Sequence, residues 1–139
     1  MKFRDEYWFL SNMYPCRIQS KRTGLVFTCA EAAYQAMKCP SRASEFQGLN
    51  GFDAKKLGRE VEVRHDWDVI KVSVMRKILE AKFRDIRLKL LLSRIAGEIV
   101  EDNTWGDKFW GKCHGKGQNM LGKLLMEIRD EPCKGDERR

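Results

Sequence analysis

Apolar residues recur every three or four positions in two segments of the chain, 67–81 and 118–128. The positions are Trp67, Ile70, Val74, Ile78 and Ala81 in the first, and Leu121, Leu124, Leu125 and Ile128 in the second. This spacing predicts two amphipathic helices, with Asp66 as the N-cap of the first. A third stripe predicts another helix, closed by Gly97. It consists of Ile86, Leu90, Leu91 and Ile95.

In residues 16–28, apolar and polar residues alternate instead. Apolar Ile18, Leu25 and Phe27 lie on both sides of the glycine-containing segment 21–24, which predicts a small β-hairpin. A short helix is predicted over 53–61 and a short strand over 98–101. The elements predict an α+β, mainly α fold. We expect one compact helical domain over 1–131 and a flexible tail over 132–139.

A helix is predicted over 29–37, because Thr28 and Glu31 match a capping box and Pro40 ends the pattern. Its polar side chains stand at relative positions 0, 3, 4 and 7 and share one face. They are Glu31, Tyr34, Gln35 and Lys38. Two interpretations stay open: the face lines a pocket, or Glu31 is only a cap and Lys38 a solvated charge at the helix end.

The segment 103–119 combines glycines with tryptophans and leads into a helix. Aromatic rings beside a carboxylate suit stacking on a base, and glycines before a helix expose backbone N–H groups to phosphate. The candidate site residues here are Asp107, Trp110, Gly111 and Asn119. The alternative is a structural loop in which tryptophans fill the core and Asp107 caps a turn.

Four further candidates lie in short polar or aromatic contexts. Ser11 and Asn12 either form a turn before Pro15 or direct polar groups into a site. Gly58 with Arg59 either ends a helix or supplies a phosphate-binding arginine. Trp67 contributes a ring to a pocket or to the core.

Composition limits the classes of protein. The longest unbroken apolar run is the four residues 7–10, so no membrane helix or signal-peptide core is predicted and a cytoplasmic protein is expected. Five cysteines without a Cys-x-x-Cys pair, together with two histidines, favour reduced thiols and give no metal-binding pattern. We therefore expect no metal and no cofactor.

The net charge of +7 is concentrated in residues 71–94, where eight Lys/Arg stand against Glu80 and Asp85, a local charge of +6. Such a stretch either attracts polyanions or is an ordinary solvated helix face.

Taken in order, several motifs resemble the NADAR (NAD and ADP-ribose associated), or YbiA-like, family over residues 7–130. They are FLSNMYP at 9–15, AEAAYQAMK at 30–38, AKKLGR at 54–59, RHDW at 64–67, VMR at 74–76, DKFWG at 107–111 and GQNMLGKLLMEIR at 117–129. The sequence departs from the family pattern at Met13, where members often have Phe, and at Ala32, where they often have an aromatic residue or His.

The resemblance implies a mainly helical N-glycosidase that hydrolyses a ribose C1–N bond. The implied substrates are ribosylamino-pyrimidine phosphates of the riboflavin pathway, or ADP-ribosyl guanine in nucleic acid. By family motif, Glu31, Trp67 and Asp107 are the catalytic residues.

The chemistry of such a reaction suits these residue types. Breaking the C1–N bond builds positive charge on the sugar, which a carboxylate stabilises or meets with an activated water. Aromatic rings stack, amides bind the base or sugar, and Lys38 and Arg59 hold phosphate. Two alternatives remain: a binding module for ADP-ribose without turnover, and a nucleic-acid-binding protein that uses residues 71–94.

Overall fold

The computed structural model describes residues 1–132, which form two compact units: Phe3–Asp85, and a C-terminal unit of Met1–Lys2 with residues 86–132. Beyond Pro132, the predicted tail lies outside the described residues. Helices dominate and strands are few, which confirms the α+β, mainly α prediction. The single compact domain stays a prediction. No helix within residues 1–132 is both long and apolar enough to cross a bilayer.

The Phe3–Asp85 unit is built around a short, fully buried helix. Its elements, in order, are a 3₁₀ helix Asp5–Leu10, strands β1 Pro15–Gln19 and β2 Val26–Cys29, helix α1 Ala30–Ala36, a 3₁₀ helix Pro40–Phe46, α2 Gly51–Gly58 and α3 Trp67–Lys82. The antiparallel pair β1–β2 places Ile18 opposite Phe27, as the hairpin pattern predicts. Helix α1 packs against β2, α2 and α3. Its alanines Ala32, Ala33 and Ala36 are buried and allow this close approach.

The start of α1 differs from the prediction. Cys29, not Thr28, is the N-cap, and its Sγ accepts a hydrogen bond from Ala32 N at 3.4 Å. The Thr28 hydroxyl instead donates to Leu49 O at 2.7 Å. Because the N-cap lies one residue later, Glu31 is the second helical residue and no capping box forms.

Helix α3 has its predicted length, and Trp67 and Ile78 of its predicted stripe are buried, but the rest of its buried face is displaced. Met75, Leu79 and Lys82 are buried, whereas Ile70, Val74 and Ala81 are only half-buried. Asp66 precedes the helix without a side-chain cap, because its carboxylate pairs with the Arg64 guanidinium at 2.6 Å. The buried face of α3 differs from the predicted one because the helix packs against two elements, α1 and β1, rather than along one stripe.

The C-terminal unit contains helix α4 Ile86–Ser93, strands β3 Asp102–Asn103 and β4 Lys112–Cys113, and helix α5 Met120–Asp130. Strands β3 and β4 are parallel and two residues long. In α4 the buried residues are Leu88 and Leu92, whereas Ile86 is 81% exposed and Leu90 and Leu91 are also exposed. The predicted helix is therefore present, but it ends at Ser93 rather than before Gly97, and the apolar stripe that predicted it is largely exposed.

The strand predicted over 98–101 was also wrong. Asn119 occupies the backbone groups that a strand partner would need: its Oδ1 accepts from Glu101 N and its Nδ2 donates to Ile99 O, both at 2.9 Å. One side chain thus replaces a strand.

Lys82 is the least expected residue of the core. It is 1% exposed, and its Nζ donates to Ser11 O at 2.9 Å and lies 5.7 and 5.3 Å from the ring centroids of Tyr14 and Phe83. Burial lowers the pKa of Lys82 to about 8. Lys82 therefore contributes nothing to the surface of the basic stretch 71–94.

This burial predicts a pH-dependent stability. Between a folded-state pKa of about 8 and an unfolded value of about 10.4, the unfolded chain binds more protons, so stability rises with pH. Relative to Lys82→Met, the free energy of unfolding of the parent should rise by about 2 kcal/mol from about pH 7 to about pH 10. Urea unfolding measures this. Lys77→Met, on the exposed side of α3, is the control, and equal pH dependence of both variants contradicts the assignment.

Candidate functional site

The polar face of α1 carries a buried carboxylate held by an amide. Glu31 is 8% exposed and Gln35 is 5% exposed, and Gln35 Nε2 donates to Glu31 Oε2 at 2.7 Å. The i, i+4 spacing on a helix brings the two side chains together. Within residues 1–132 no second donor to this carboxylate is present, so Oε1 is available to a water molecule or a ligand.

Ser11 and Asn12 form a turn that supports the start of α1. Asn12 O accepts from Glu31 N at 2.9 Å, and Ser11 Oγ accepts from Met13 N at 3.1 Å. Asn12 Nδ2 contacts Met75 Sδ at 3.6 Å, while its Oδ1 is buried without a hydrogen-bond partner in the described chain. A buried acceptor without a partner is costly, which makes Asn12 Oδ1 a candidate ligand contact.

An aromatic pair lies along the same face of α1. The Tyr34 and Trp67 rings meet with centroids 5.0 Å apart and an interplanar angle of 55°. Both residues are buried, and Lys38 Nζ lies 5.8 Å from the Tyr34 centroid. Helix α3 therefore begins with a buried ring packed against Tyr34, and a role of Trp67 in the site stays a prediction.

Cations gather around the C-terminal end of α1. Burial lowers the pKa of Lys38, Glu31 opposes this effect, and Lys55, Arg59 and Lys71 lower the pKa further. Arg64 N also donates to Lys38 O at 2.9 Å, which holds the chain before α3 against the end of α1. The combination of one carboxylate with several neighbouring cations suits a ligand that carries phosphate.

In the C-terminal unit, Asp107 organises a tight turn. Its Oδ1 accepts from Phe109 N at 3.0 Å and from Trp110 N at 2.9 Å. Asn103, which is 5% exposed, clamps the backbone of Asp107 from both sides: its Oδ1 accepts from Asp107 N at 3.1 Å and its Nδ2 donates to Asp107 O at 2.8 Å. Asp107 thus caps a turn, as the structural-loop alternative requires, and its Oδ2 is left for other chemistry. The tryptophans of the loop do not fill the core, however, because Trp105 is 67% exposed and Trp110 is half-buried.

The other candidates of this unit have visible structural roles. A Cβ on Gly111 would lie 1.8 Å from Glu101 Oε1 and 2.4 Å from Glu101 O, so the glycine is needed for packing. The Trp110 ring packs edge-on against Phe109 at 4.9 Å. Asn119 uses both ends of its amide on backbone groups. Roles for these three in substrate binding stay predictions.

Comparison with known proteins identifies the family. The NADAR domain profile matches residues 1–131. The chain belongs to the NADAR family. It is 42% identical over 136 residues to the N-glycosidase YbiA of Escherichia coli K12, covering 91% of this chain and 82% of that protein. The NMR structure of E. coli YbiA matches 99% of this chain and 84% of its own, with a TM-score of 0.82 and 32% identity.

A second NADAR relative is a riboflavin biosynthesis protein of Vibrio vulnificus, 34% identical over 134 residues. The match covers 91% of this chain but only 36% of the Vibrio protein, so the chain spans about a third of that relative's length. The sequence resemblance to the NADAR and YbiA-like family is therefore confirmed, and the chain is a relative of N-glycosidases.

The structure brings several predicted NADAR site residues together in the Phe3–Asp85 unit. They are Asn12, Glu31, Tyr34, Gln35, Lys38, Arg59 and Trp67. Asp107, Trp110, Gly111 and Asn119 lie in the C-terminal unit. Sequence reasoning missed Lys55, although it stands in the basic AKKLGR motif, and Asn103, for which no local pattern existed. Lys71 was noted only as the first residue of the basic stretch 71–94.

Metal-binding groups are not assembled in the described chain. Residues 1–132 contain no cluster of three or more His, Cys, Asp or Glu side chains that suits a metal ion. The cysteines within this range are free thiols, at positions 16, 29, 39 and 113. The expectation that no metal or cofactor is needed stays a prediction.

The Asp107 turn predicts a difference between two variants. Asn retains an Oδ1 that accepts both N–H groups, so Asp107→Asn should lower the free energy of unfolding by less than about 1 kcal/mol. Asp107→Ala leaves both donors without a partner and should lower it by about 1–3 kcal/mol. Urea unfolding at neutral pH compares them. An Asn variant as unstable as the Ala variant contradicts the turn assignment.

Proposed function

We propose that this N-glycosidase hydrolyses the bond between ribose C1 and a nitrogen of a phosphorylated ribosyl compound, with Glu31 as a catalytic carboxylate. The observation that carries the proposal is the buried Glu31 carboxylate, held through one oxygen by Gln35, in the same unit as the Tyr34–Trp67 pair and beside Lys38. Names of the NADAR relatives, N-glycosidase and riboflavin biosynthesis protein, support the reaction class.

The reaction balances with water as the only co-reactant. The water oxygen forms a bond to C1, the C1–N bond breaks with its electron pair on nitrogen, and one proton of the water ends on the departing nitrogen. Glu31 stabilises the positive charge that develops on the sugar, or accepts the water proton through Oε1. The product sugar carries a hydroxyl at C1.

Burial makes Glu31 effective in this role. A negative charge acts more strongly on a developing positive charge in a low-dielectric site than in water. The hydrogen bond from Gln35 holds the carboxylate in place before substrate binds, so little reorganisation is needed during the reaction. By family resemblance we also assign Asp107 as a second carboxylate, acting through Oδ2.

The remaining side chains account for substrate class. Lys38, Lys55 and Arg59 supply positive charge for phosphate, and Lys71 adds to it while also pairing with Asp68 at 3.4 Å. The Tyr34–Trp67 pair offers an aromatic surface to the base, and the Asn12 Oδ1 acceptor suits an N–H of base or sugar. A ribosylamino-pyrimidine phosphate and an ADP-ribosyl guanine in nucleic acid both satisfy these requirements.

Two further expectations concern the cellular compartment and the exposed cations of residues 71–94. Free thiols at the cysteines of the described chain support a reducing compartment, and we propose the cytoplasm. The exposed cations of residues 71–94, among them Lys77, Arg84 and Lys89, favour polyanionic substrates such as nucleic acid.

Glu31→Gln separates the catalytic role from a structural one. Gln keeps an oxygen that accepts from Gln35, so the fold and thermal stability should be retained, whereas kcat should fall at least about 10²-fold. The measurement is chromatographic release of free base and sugar from a panel of phosphorylated N-ribosides and ADP-ribosyl guanine. Glu62→Gln, which removes an exposed carboxylate, is the control and should keep the parental rate.

A Glu31→Gln protein that cleaves its substrate at the parental rate contradicts the proposal. So does a panel in which the parent releases no base from any N-riboside but binds ADP-ribose, which would establish the binding-module alternative.

A further inference from the structure

Gly58 is the last residue of α2, and its backbone does not explain why it is glycine. Its φ angle is not positive, unlike those of the turn residues Gly24 and Gly48, so the helix would accept an L side chain at this position. Alanine also has a higher helix propensity than glycine. The requirement must therefore come from the neighbours of Gly58.

The neighbour that leaves no space for a side chain at position 58 is Gln35. A Cβ at position 58 would lie 2.0 Å from Gln35 Oε1 and 2.8 Å from Gln35 Cδ, far inside van der Waals contact. The same amide donates through Nε2 to Glu31 Oε2 at 2.7 Å. Gln35 thus fills the space between α2 and the carboxylate, with its oxygen against Gly58 and its nitrogen on Glu31.

If a Cβ were added at position 58, the Gln35 amide could not move away from it without losing the hydrogen bond to Glu31. Gln35 is 5% exposed, and its Oε1 has no hydrogen-bond partner in residues 1–132, so its position is set by packing at Oε1 and by the bond to Glu31 at Nε2. Added bulk at position 58 would displace the amide as a whole, because the O–C–N group is rigid.

We infer that Gly58 is a positioning residue, whose missing side chain lets Gln35 hold the Glu31 carboxylate in its catalytic orientation. The inference rests on the proposed function of Glu31. It also gives Gln35 a role in orienting Glu31, in place of the substrate-binding role expected from the sequence. A small misplacement of a catalytic group lowers the rate strongly, whereas substrate binding through other side chains is retained.

The test is a double-mutant cycle on positions 58 and 35, with kcat and KM measured for a cleaved riboside phosphate. Gly58→Ala and Gln35→Ala should each lower kcat by about 10–100-fold with KM changed less than about threefold. In the double variant the Cβ atoms would lie 3.5 Å apart, an ordinary contact, so the protein should fold. Its kcat should equal that of Gln35→Ala within about twofold, because Gly58 acts only through Gln35.

Gly51→Ala is the matched control. Gly51 lies in the same helix, also without a positive φ, and its added Cβ would meet Met13 Sδ at 1.9 Å, a flexible side chain rather than Gln35. This variant should keep kcat within about twofold. Melting curves of all variants separate loss of fold from loss of rate.

Three results overturn the inference: Gly58→Ala with parental kcat, an equal loss of kcat from Gly58→Ala in both backgrounds, or a loss that appears only in KM. The last would instead indicate displaced phosphate contacts of the adjacent Arg59. If Gly58→Ala fails to fold, the Gln35→Ala single variant and the double variant still decide, since parental kcat in both contradicts the role of Gln35. A fully active Glu31→Gln protein, measured alongside, identifies failure of the proposed function itself.

Discussion

A buried charge must be held by partners, and the hydrogen bond from Gln35 to Glu31 is how this protein meets that constraint. A carboxyl group in a helix that is buried along its whole length would be destabilising without a hydrogen-bond partner. The other features of the Phe3–Asp85 unit follow from it. Alanines on α1 let α2 and α3 approach, Gly58 leaves space for the amide, and Asn12 O receives the N–H of Glu31.

The second constraint is the balance of charge around this helix. Burial is the main cause of the lowered pKa of Lys38, and the neighbouring cations Lys55, Arg59 and Lys71 lower it further, so a bound phosphate would offset their repulsion. Lys82 is accommodated differently. Its Nζ donates to the Ser11 carbonyl and lies near two aromatic rings, and no ion pair of Lys82 is present within residues 1–132.

Local sequence patterns predicted much of the fold and part of the candidate site. The helical spacing correctly predicted that Glu31 and Gln35 meet at i, i+4, because helical geometry alone determines it. Lys38 lies two residues beyond the end of α1, and its position near the Tyr34 ring does not follow from helical spacing. Patterns failed where tertiary contacts decide: the N-cap moved from Thr28 to Cys29, α4 buried Leu88 and Leu92 rather than its predicted stripe, and Asn119 replaced the strand over 98–101. Spacing also gives no information on which lysine is buried or which glycine packs against the Gln35 amide.

The proposed role of Glu31 requires its carboxylate to face the bond that breaks. A crystal structure of the Glu31→Gln protein with an uncleaved ribosyl phosphate substrate tests this requirement most directly. We expect ribose C1 within reach of the residue 31 side chain, directly or through one water at hydrogen-bond distances of about 2.6–3.2 Å, with phosphate against Lys38 and Arg59. A substrate bound with C1 far from residue 31, or with its phosphate away from α1, would contradict the proposed role of Glu31.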